Sequence, residues 1–184
     1  MTYQVQNGYA LWFSGLPGAG KTTVARALQT LLDENGVANV LLDGDEVRPI
    51  ICGQLGHSAE DRRKSLDQYI QLSKLMTKNK VISILVIINH SAKQRAAARE
   101  AHAEGQFGQV WIDTALDVCR DRDPKGLYKK ALATHAQNNM VGVDIAYENA
   151  DEADVIIRTL DETPQQAAAR IFDFLKRVSL TPGT

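Results

Sequence analysis

Residues 15–23 read GLPGAGKTT and are the strongest indication of the fold in this sequence. It follows the apolar run YALWFS at 9–14 and precedes VARALQTLL at 24–32, where apolar residues recur at helical spacing. A glycine-rich turn between a buried strand and a helix, ending in Lys21-Thr22, matches the phosphate-binding pattern G-x-x-x-x-G-K-[ST]. Its glycines let backbone N–H groups point at one centre, and the following helix adds the positive end of its dipole. We expect Lys21 to reach the β- and γ-phosphates of a nucleotide and Thr22 to bind Mg²⁺.

Two other interpretations of this stretch are weaker. A glycine turn that only joins the strand to the helix is the simpler one, but the pattern arises by chance on the order of once in a hundred or more such chains. A dinucleotide-binding turn has the spacing G-x-G-x-x-G, which GLPGAG lacks.

The composition describes one domain without a strong net charge. A chain of 184 residues is about one domain's worth, and 44% hydrophobic residues supply a substantial core. Because 21 basic residues face 22 acidic ones, no net field would recruit nucleic acid or an anionic membrane. No cationic and apolar leader opens the chain, and the longest apolar run, ILVII at 84–88, is too short to span a bilayer. We therefore expect a cytoplasmic protein with one domain over residues 1–184 and with no nucleic-acid or membrane partner.

Short apolar runs alternate with stretches of helical period along the chain. The runs are too continuously apolar to be half-exposed, and they predict buried parallel strands at 9–14, 38–42, 81–88, 108–113 and 154–158. The pattern predicts a helix after the phosphate-binding stretch that stops at Asn35-Gly36, and further helices at 61–80, 92–104, 115–121 and 163–177. The last of these helices is expected to open with Thr163 as its cap and Pro164 in its first turn. This order predicts an α/β fold of three layers, a parallel five-stranded sheet with helices on both faces. The stretch 123–149 lacks a clear period and is a candidate mobile segment.

The second predicted strand ends in VLLDGDEVR and carries the next candidate site. Ligands of open parallel sheets collect at the carboxyl ends of strands, where Asp43 and Asp45 would lie. Two carboxylates there could hold Mg²⁺ and accept the proton of an attacking hydroxyl, while Arg48 could clamp an anionic acceptor. A solvated acidic turn with Asp45 capping a helix is the alternative. A GTPase-type switch is disfavoured because the nearest N-K-x-D candidate, at 79–82, lacks the aspartate.

The cysteines and histidines argue against a metal cage or a disulfide framework, because they lack ligand spacing and any C-x-x-C pair. They are Cys52, Cys119, His57, His90, His102 and His135. Both cysteines are expected to pack as small hydrophobic residues.

Five motifs resemble those of the adenylyl-sulfate (APS) kinases, and together they run over most of the chain. They are WFSGLPGAGKTT (12–23), LDGDEVR (42–48), GHSAEDR (56–62), VCRDRDPKGLYKKA (118–131) and VGVDIAYE (141–148). The first is shared by many kinases, whereas the run at 125–131 is specific. The resemblance implies a P-loop NTPase fold with a mobile lid over approximately 120–149. It also implies transfer of the γ-phosphate of ATP to the 3′-hydroxyl of adenosine 5′-phosphosulfate, with ATP and Mg²⁺ as cofactors and a possible homodimer.

The resemblance also implies roles for individual residues. The catalytic residues would be Lys21, Asp43 and Asp45, and the metal ligands would be Thr22, Asp43 and Asp45. The ATP-binding residues would be Gly15, Pro17, Gly18, Ala19, Gly20, Lys21, Thr22, Thr23 and Arg122. The acceptor-binding residues would be Asp45, Arg48, His57, Arg62, Ser65, Asn89, Lys125, Gly126, Leu127 and Met140. Which aspartate holds metal and which handles the proton stays open.

The lid motif is also basic, with five lysines and arginines from Arg120 to Lys130. Closure of such a segment would bring positive charge onto the transferring phosphoryl group and exclude water. A solvated basic helix face is the alternative.

The departures from the family pattern fall on the acceptor side. Two phenylalanines that clamp the acceptor's adenine in the family are His57 and Met140 here, and the family's asparagine is Ser65. Asp67 replaces an arginine, and Asn89 replaces a serine. Loss of a stacking ring typically costs about 1–3 kcal/mol per base, which is enough to change the preferred acceptor.

Three functions therefore stay open. The leading one is phosphorylation of adenosine 5′-phosphosulfate. The second is phosphorylation of another nucleotide-like acceptor, such as a cytidine diphosphate derivative bearing a phosphoramidate, for which a smaller clamp would suit a single-ring base. The third is a non-catalytic ATP-binding module, although the charged positions retained at Asp43, Asp45 and Arg48 argue against it.

Overall fold

The structure is a computed structural model, and it describes residues 2–134 and 139–183. Seven strands occur in this part of the chain: β1 (Tyr3–Val5), β2 (Tyr9–Ser14), β3 (Asn39–Asp43), β4 (Ile82–Val86), β5 (Phe107–Asp113), β6 (Val155–Arg158) and β7 (Leu180–Pro182). The helices are α1 (Lys21–Glu34), α2 (Gly44–Ile51), α3 (Ala59–Lys78), α4 (Ala92–Ala101), α5 (Leu116–Arg122), α6 (Leu127–Thr134) and α7 (Pro164–Val178).

Five of the strands form a sheet in the order β3-β4-β2-β5-β6, and all of its pairings are parallel. The predicted five-stranded parallel sheet is therefore confirmed, with boundaries that differ by one or two residues. Because β2 lies at the centre, its two neighbours connect to opposite edges of the sheet, and a crevice opens outside the carboxyl ends of the strands. The GLPGAGKTT turn leaves β2 at this crevice.

Two cores cover the two faces of the sheet, because alternate residues of β2 point to opposite sides. Leu11 and Phe13 pack in the larger cluster, together with apolar residues of α1 and α7. Ala10 and Trp12 pack in the second cluster against α3. This double burial is why β2 is fully buried and reads as a continuous apolar run.

Local end signals decide where the helices begin and end. Helix α1 ends at Glu34, with Asn35 as its C-cap and Gly36 in the left-handed region at φ 68°. Helix α7 begins after Thr163, which forms a capping box with Gln166 and is followed by Pro164. Both signals were predicted from the sequence, and both are confirmed.

Four elements were not predicted. Strands β1 and β7 have three residues each and form a separate antiparallel pair, so they are too short for a period. Helix α2 has eight residues, contains Pro49 and is capped by Asp43, whose Oδ1 accepts from the Asp45 amide at 3.0 Å. The alternative in which Asp45 caps a helix is therefore wrong, because the helix begins two residues earlier than that interpretation requires.

Helix α6 lies inside the stretch 123–149 that lacked a clear period. Its eight residues give only two turns, which is too few for a periodic pattern to stand out. The predicted lid over 120–149 includes residues 135–138, and His135 among them, which lie outside the described residues.

Candidate active site

A cleft of about 1070 Å³ opens at the carboxyl ends of the strands. Its size is at the upper end for small-molecule sites, enough for two ligands of moderate size. Its floor is the phosphate-binding turn and the start of α1. Side chains from α2, α3, the loops after β4 and β6, and the segment around α6 form the walls.

The turn adopts a conformation that requires glycine at two close approaches. Gly15 has φ 148°, and a Cβ there would lie 2.7 Å from the carbonyl oxygen of Ile112. Gly18 has φ 77°, and a Cβ there would lie 2.9 Å from the carbonyl oxygen of Cys119. Both contacts are with backbone that cannot give way, so the turn folds tightly onto β5 and α5 only because these residues lack side chains.

Lys21 lies at the first position of α1 and reaches back over the turn. Its Nζ donates to the carbonyl oxygens of Gly15 at 2.9 Å and Leu16 at 2.7 Å. Burial, which disfavours the charged ammonium, lowers the pKa of Lys21 to about 8, and the carboxylates of Asp45 and Asp43 partly oppose this shift. The ammonium is therefore held in place, poorly solvated and close to the point where phosphate would bind.

Asp43 and Thr22 lie together at the floor of the cleft. Asp43 is 5% exposed, and its Oδ2 accepts from the Thr22 hydroxyl at 2.7 Å. These two oxygens fit magnesium, which prefers oxygen ligands and keeps several waters and phosphate oxygens in its shell. The described residues contain no group of three or more His, Cys, Asp or Glu side chains that could hold a metal ion by themselves. A magnesium ion here would therefore be completed by a nucleotide's phosphates.

Asp45 differs from Asp43 in its surroundings. Its side chain is 69% exposed and faces the cleft, where it forms an ion pair with Lys125. Lys125 lies just before α6, in the segment predicted as a lid, so this pair links the basic segment to the start of α2.

Arg48 and Arg62 lie at the far end of the cleft and also organise its wall. Arg48 donates to the Ser65 hydroxyl at 3.0 Å, to the Leu55 carbonyl oxygen at 3.1 Å and to the Gly56 carbonyl oxygen. Arg62 donates to the carbonyl oxygens of His57 at 3.2 Å and Asn139 at 2.5 Å. Both guanidinium groups line the cleft, so they supply positive charge while holding its loops together.

Four polar or flexible side chains complete this end of the cleft: His57, Asn89, His90 and Met140. Partial burial, and then the charges of neighbouring arginines, lower the pKa of His57 and the pKa of His90 below their usual value. Both imidazoles are therefore neutral near pH 7. Asn89 is buried and has φ 44°, an uncommon conformation for a residue other than glycine.

Arg122 lies at the end of the cleft opposite Arg48 and Arg62. Its Nη1 donates to the hydroxyl of Thr159 at 3.1 Å and to the carbonyl oxygen of Ala19 at 3.4 Å. Thr159, Glu162 and Pro164 line the same end. The phosphate-binding turn therefore lies between this end and the end that carries Arg48 and Arg62.

The structure brings most of the predicted site residues into one cleft. Pro17, Gly18, Gly20, Lys21, Thr22, Thr23, Asp43, Asp45, Arg48, His57, Arg62, Ser65, Asn89, Arg122, Lys125, Leu127 and Met140 all line it. Gly15, Ala19 and Gly126 do not line it: the first two are buried beneath the turn, and Gly126 lies beside it with φ 64°. Sequence reasoning missed Tyr69, His90, Gln94, Thr159 and Glu162 as lining residues. Thr159 had a usable signal, since it follows directly after a predicted buried strand.

The fold and the cleft define the class of protein. A phosphate-binding turn at the central strand, with carboxylates at the end of β3 and arginines beyond them, is the arrangement of a P-loop kinase that acts on small molecules. The chain belongs to the adenylylsulphate kinase family, because the sequence model of that family, described as Adenylylsulphate kinase, matches residues 7–158.

Individual relatives agree with this assignment. The adenylyl-sulfate kinase of Klebsiella pneumoniae subsp. pneumoniae is 43% identical over 148 residues, which are 80% of this chain and 73% of that protein. The solved structure of Mycobacterium tuberculosis APS kinase CysC in complex with AMPPNP and APS is 33% identical with a TM-score of 0.87, covering 92% of this chain and 98% of that chain. The hexameric APS kinase from Thiobacillus denitrificans is 26% identical with a TM-score of 0.68, covering 93% of this chain and 29% of that chain.

Helices long and apolar enough to cross a bilayer are absent from the described part of the chain.

Proposed function

We propose that this protein transfers the γ-phosphate of ATP to the 3′-hydroxyl of adenosine 5′-phosphosulfate. One observation carries the proposal beyond family membership. Asp45 is exposed in the cleft between the phosphate-binding turn and the two arginines, Arg48 and Arg62. A carboxylate between a phosphate donor site and a cationic acceptor site is placed to receive the proton of an attacking hydroxyl.

The donor would lie with its phosphates on the turn and its base at the end marked by Arg122 and Thr159. The amides of the turn and the Lys21 ammonium would hold the β- and γ-phosphates. Thr22 and Asp43 would hold magnesium, which would neutralise the negative charge of the phosphates. The guanidinium of Arg122 offers a flat, charged surface on which an aromatic base can stack.

The acceptor would lie at the end that carries His57 and Met140, with Arg48 and Arg62 supplying positive charge for its phosphosulfate. The 3′-oxygen forms a bond to the γ-phosphorus, and the bond between that phosphorus and the β,γ-bridging oxygen breaks to release ADP. The hydroxyl proton passes to the Asp45 carboxylate. Asp43 is unsuited to this role because it is buried and already accepts from Thr22 and from the Asp45 amide.

We also keep the proposal that the segment 120–149 acts as a lid. The ion pair between Lys125 and Asp45 supports it, since the pair brings a positive charge from this segment to the carboxylate that would receive the hydroxyl proton. Leu127 and Lys130 line the cleft from the same side. Closure of the segment would concentrate positive charge and exclude water during transfer.

A second candidate acceptor, a pyrimidine nucleotide derivative, is supported by the side chains at the acceptor end of the cleft. His57 and Met140 give a smaller and more polar clamp than two aromatic rings, and His90 and Gln94 add further polar groups. Such a clamp would suit a single-ring base, as in a cytidine diphosphate derivative carrying a phosphoramidate. The third function, a non-catalytic ATP-binding module, predicts ATP binding without turnover.

The test is acceptor-dependent release of ADP from Mg-ATP, with adenosine 5′-phosphosulfate beside cytidine, uridine and guanosine diphosphate derivatives. We expect turnover with adenosine 5′-phosphosulfate and a background rate when the acceptor is omitted. Turnover only with a pyrimidine derivative would move the assignment to the second acceptor class. No turnover with any acceptor, while an ATP analogue still binds, would favour the non-catalytic module.

The assembly and location are proposals as well. A homodimer is our expectation, and oligomerisation is supported by the hexameric relative described above. Light scattering after size-exclusion chromatography gives the mass that tests it. A cytoplasmic location is the further expectation, and fractionation of cells that express the full chain would check it.

A further inference from the structure

Arg95 is a buried arginine that does not line the cleft. It lies in α4 and is 1% exposed, so its guanidinium cannot contact a ligand in the cleft. A charge of this kind is costly to bury unless it is paired and hydrogen-bonded on several sides. The hydrogen-bond partners of Arg95 therefore indicate which parts of the structure its guanidinium holds together.

The partners of Arg95 belong to two different loops. Its Nη1 donates to the carbonyl oxygens of Asn89 at 3.4 Å and Glu148 at 3.0 Å, and its Nη2 donates to that of Asn149 at 2.5 Å. Its Nε pairs with the Glu152 carboxylate at 2.7 Å. The planar guanidinium thus joins the loop after β4 to the segment before β6.

A second connection joins the same two loops. The Glu148 carboxylate accepts from the amide of Ala92 at 2.7 Å, at the start of α4, and the Glu148 amide donates to the carbonyl oxygen of His90 at 2.9 Å. The ring of Tyr147 lies 5.7 Å from the Arg95 guanidinium carbon. The two loops are therefore held as one wall.

This wall forms part of the acceptor end of the cleft. One loop contributes Asn89 and His90 to the lining, and the other segment contributes Asn139, Met140 and Val141. Asn89 and His90 are themselves contacted through their carbonyl oxygens, by the Arg95 guanidinium and the Glu148 amide. Met140 is hydrogen-bonded to Asp144 and Ile145, which lie three to four positions before Glu148. The donor end, at Arg122 and Thr159, shares none of these contacts.

We propose that Arg95 is a positioning residue that sets the geometry of the acceptor end without touching either substrate. The inference rests on the proposed function for the identity of the acceptor. Its physical basis is that one rigid guanidinium satisfies four acceptors from two loops, which a lysine or an apolar residue cannot do. Loss of this residue should loosen the acceptor wall and leave the donor site intact.

The test compares Arg95→Met and Arg95→Lys with the unchanged protein. We expect Arg95→Met to raise the KM for adenosine 5′-phosphosulfate by about tenfold to 10²-fold, since small misplacements remote from the chemistry have effects of this size. The affinity for a non-hydrolysable ATP analogue should stay within about twofold. Arg95→Lys should give an intermediate KM, because an ammonium can satisfy only some of the four acceptors.

Arg99→Ala is the matched control. Arg99 lies one turn further along α4 and pairs with Asp154 at 2.6 Å, so it also joins this helix to the segment before β6. Within residues 2–134 and 139–183, its side chain makes no hydrogen bond or ion pair with the loops that carry Asn89 and Met140, so its removal should leave the acceptor KM unchanged. If Arg95→Met fails to fold, Glu148→Gln weakens the second connection and should raise the acceptor KM in the same direction.

Backbone amide exchange gives a readout that does not depend on turnover. We expect amides of residues 139–150 to exchange about tenfold faster in Arg95→Met, with those of α1 unchanged. An unchanged acceptor KM, or equal losses at the donor and acceptor sites, would overturn the inference. If the unchanged protein does not phosphorylate adenosine 5′-phosphosulfate, the proposed function fails, and exchange alone then decides the role of Arg95.

Discussion

At the scale of single residues, the site separates two carboxylates that the motif places two positions apart. Asp43 is buried against Thr22 and caps α2, whereas Asp45 is exposed in the cleft opposite Lys125. The same chemical group can hold a metal in one environment and accept a proton in the other, because burial and partners decide what remains free to react. The same holds for Lys21, because its burial lowers the pKa of its ammonium and the neighbouring carboxylates raise it.

Replacing Lys21 tests the kinase assignment most directly. We expect Lys21→Ala to lower kcat by about 10²-fold to 10³-fold or more, because preorganised charge on the transferring phosphoryl group is lost. Arg26→Ala is the control on the same helix, since its exposed ion pair with Glu46 lies away from the phosphate-binding turn. Near-normal turnover by Lys21→Ala would refute the kinase function.

The pKa of Lys21 also predicts how ATP binding depends on pH. Burial lowers this pKa to about 8, so the free protein loses the ammonium as the pH rises through that value. We expect the affinity for an ATP analogue to be constant below the pKa and to fall above it, since only the charged form attracts phosphate. Lys21→Arg stays charged throughout this range and should remove the dependence. A flat profile for the unchanged protein would contradict the prediction.

Acceptor recognition can be tested at His57. The neutral imidazole lies at the acceptor end, so we expect His57→Ala to raise the acceptor KM by about tenfold through loss of one stacking surface. His57→Phe restores a larger ring and should lower the KM for an adenine acceptor below that of the unchanged protein. Steady-state kinetics with ATP saturating would measure both variants, and equal effects on the KM for ATP would count against this placement.

At the scale of elements, polar N-cap residues fix the starts of three helices that border the cleft. Asp43 is both the last residue of β3 and the cap of α2, the helix that carries Arg48 to the wall of the cleft. Ser58 caps α3 and precedes Arg62 by one turn. Helix α7 is capped by Thr163, which directly follows Glu162 and lies four residues after Thr159; both of these residues line the cleft.

The capping box of α7 makes a measurable contribution to stability. The Thr163 hydroxyl accepts from the Gln166 amide at 3.2 Å, and the Gln166 side chain accepts from the Thr163 amide at 2.8 Å. We expect Thr163→Ala to lower the free energy of unfolding by about 0.5–2 kcal/mol. Urea denaturation measures this change. Thr30→Ala, within α1, removes a hydroxyl that bonds only to its own helix and should cost much less.

At the scale of the whole molecule, the described histidines share one electrostatic property. Burial is the largest cause that lowers the pKa of His57, the pKa of His90 and the pKa of His102. His102 lies in the core, where its ring nitrogens contact Ser73 Oγ at 2.9 Å and the carbonyl oxygen of Ala98 at 2.7 Å. The folded protein therefore keeps these imidazoles neutral at pH values where the unfolded chain binds protons.

This difference predicts loss of stability in mild acid. Each histidine has a folded pKa below its unfolded value near 6.5, so the unfolded state binds more protons as the pH falls below that value. We expect the urea midpoint to fall between about pH 7 and about pH 5.5, before carboxylates begin to titrate. His102→Gln should reduce this pH dependence, even though it lowers stability overall. A midpoint that is constant or higher in acid would contradict the prediction.

Much of the fold could be predicted because its signals are local. Short apolar runs predict the five buried strands, and the glycine spacing predicts the phosphate-binding turn. The Thr163-Pro164 pair predicts the cap of the last helix. Most of the site residues predicted from the sequence also line the cleft, although about half of the lining residues were not among them. Elements without a local signal were missed: β1 and β7 are three residues long, and α2 and α6 are two turns long.

The motifs along the chain were enough to predict the class of protein, the phosphate-binding turn and the charged residues that line the cleft. The different surroundings of Asp43 and Asp45, the presence of Thr159 and Glu162 in the cleft, and the links that the buried Arg95 makes between two loops came from the folded structure alone. The physical reason is that these relations join residues that are distant in the sequence. Packing of α4 against the segment before β6 brings Arg95 and Asn149 within hydrogen-bond distance, and no local sequence pattern predicts that proximity.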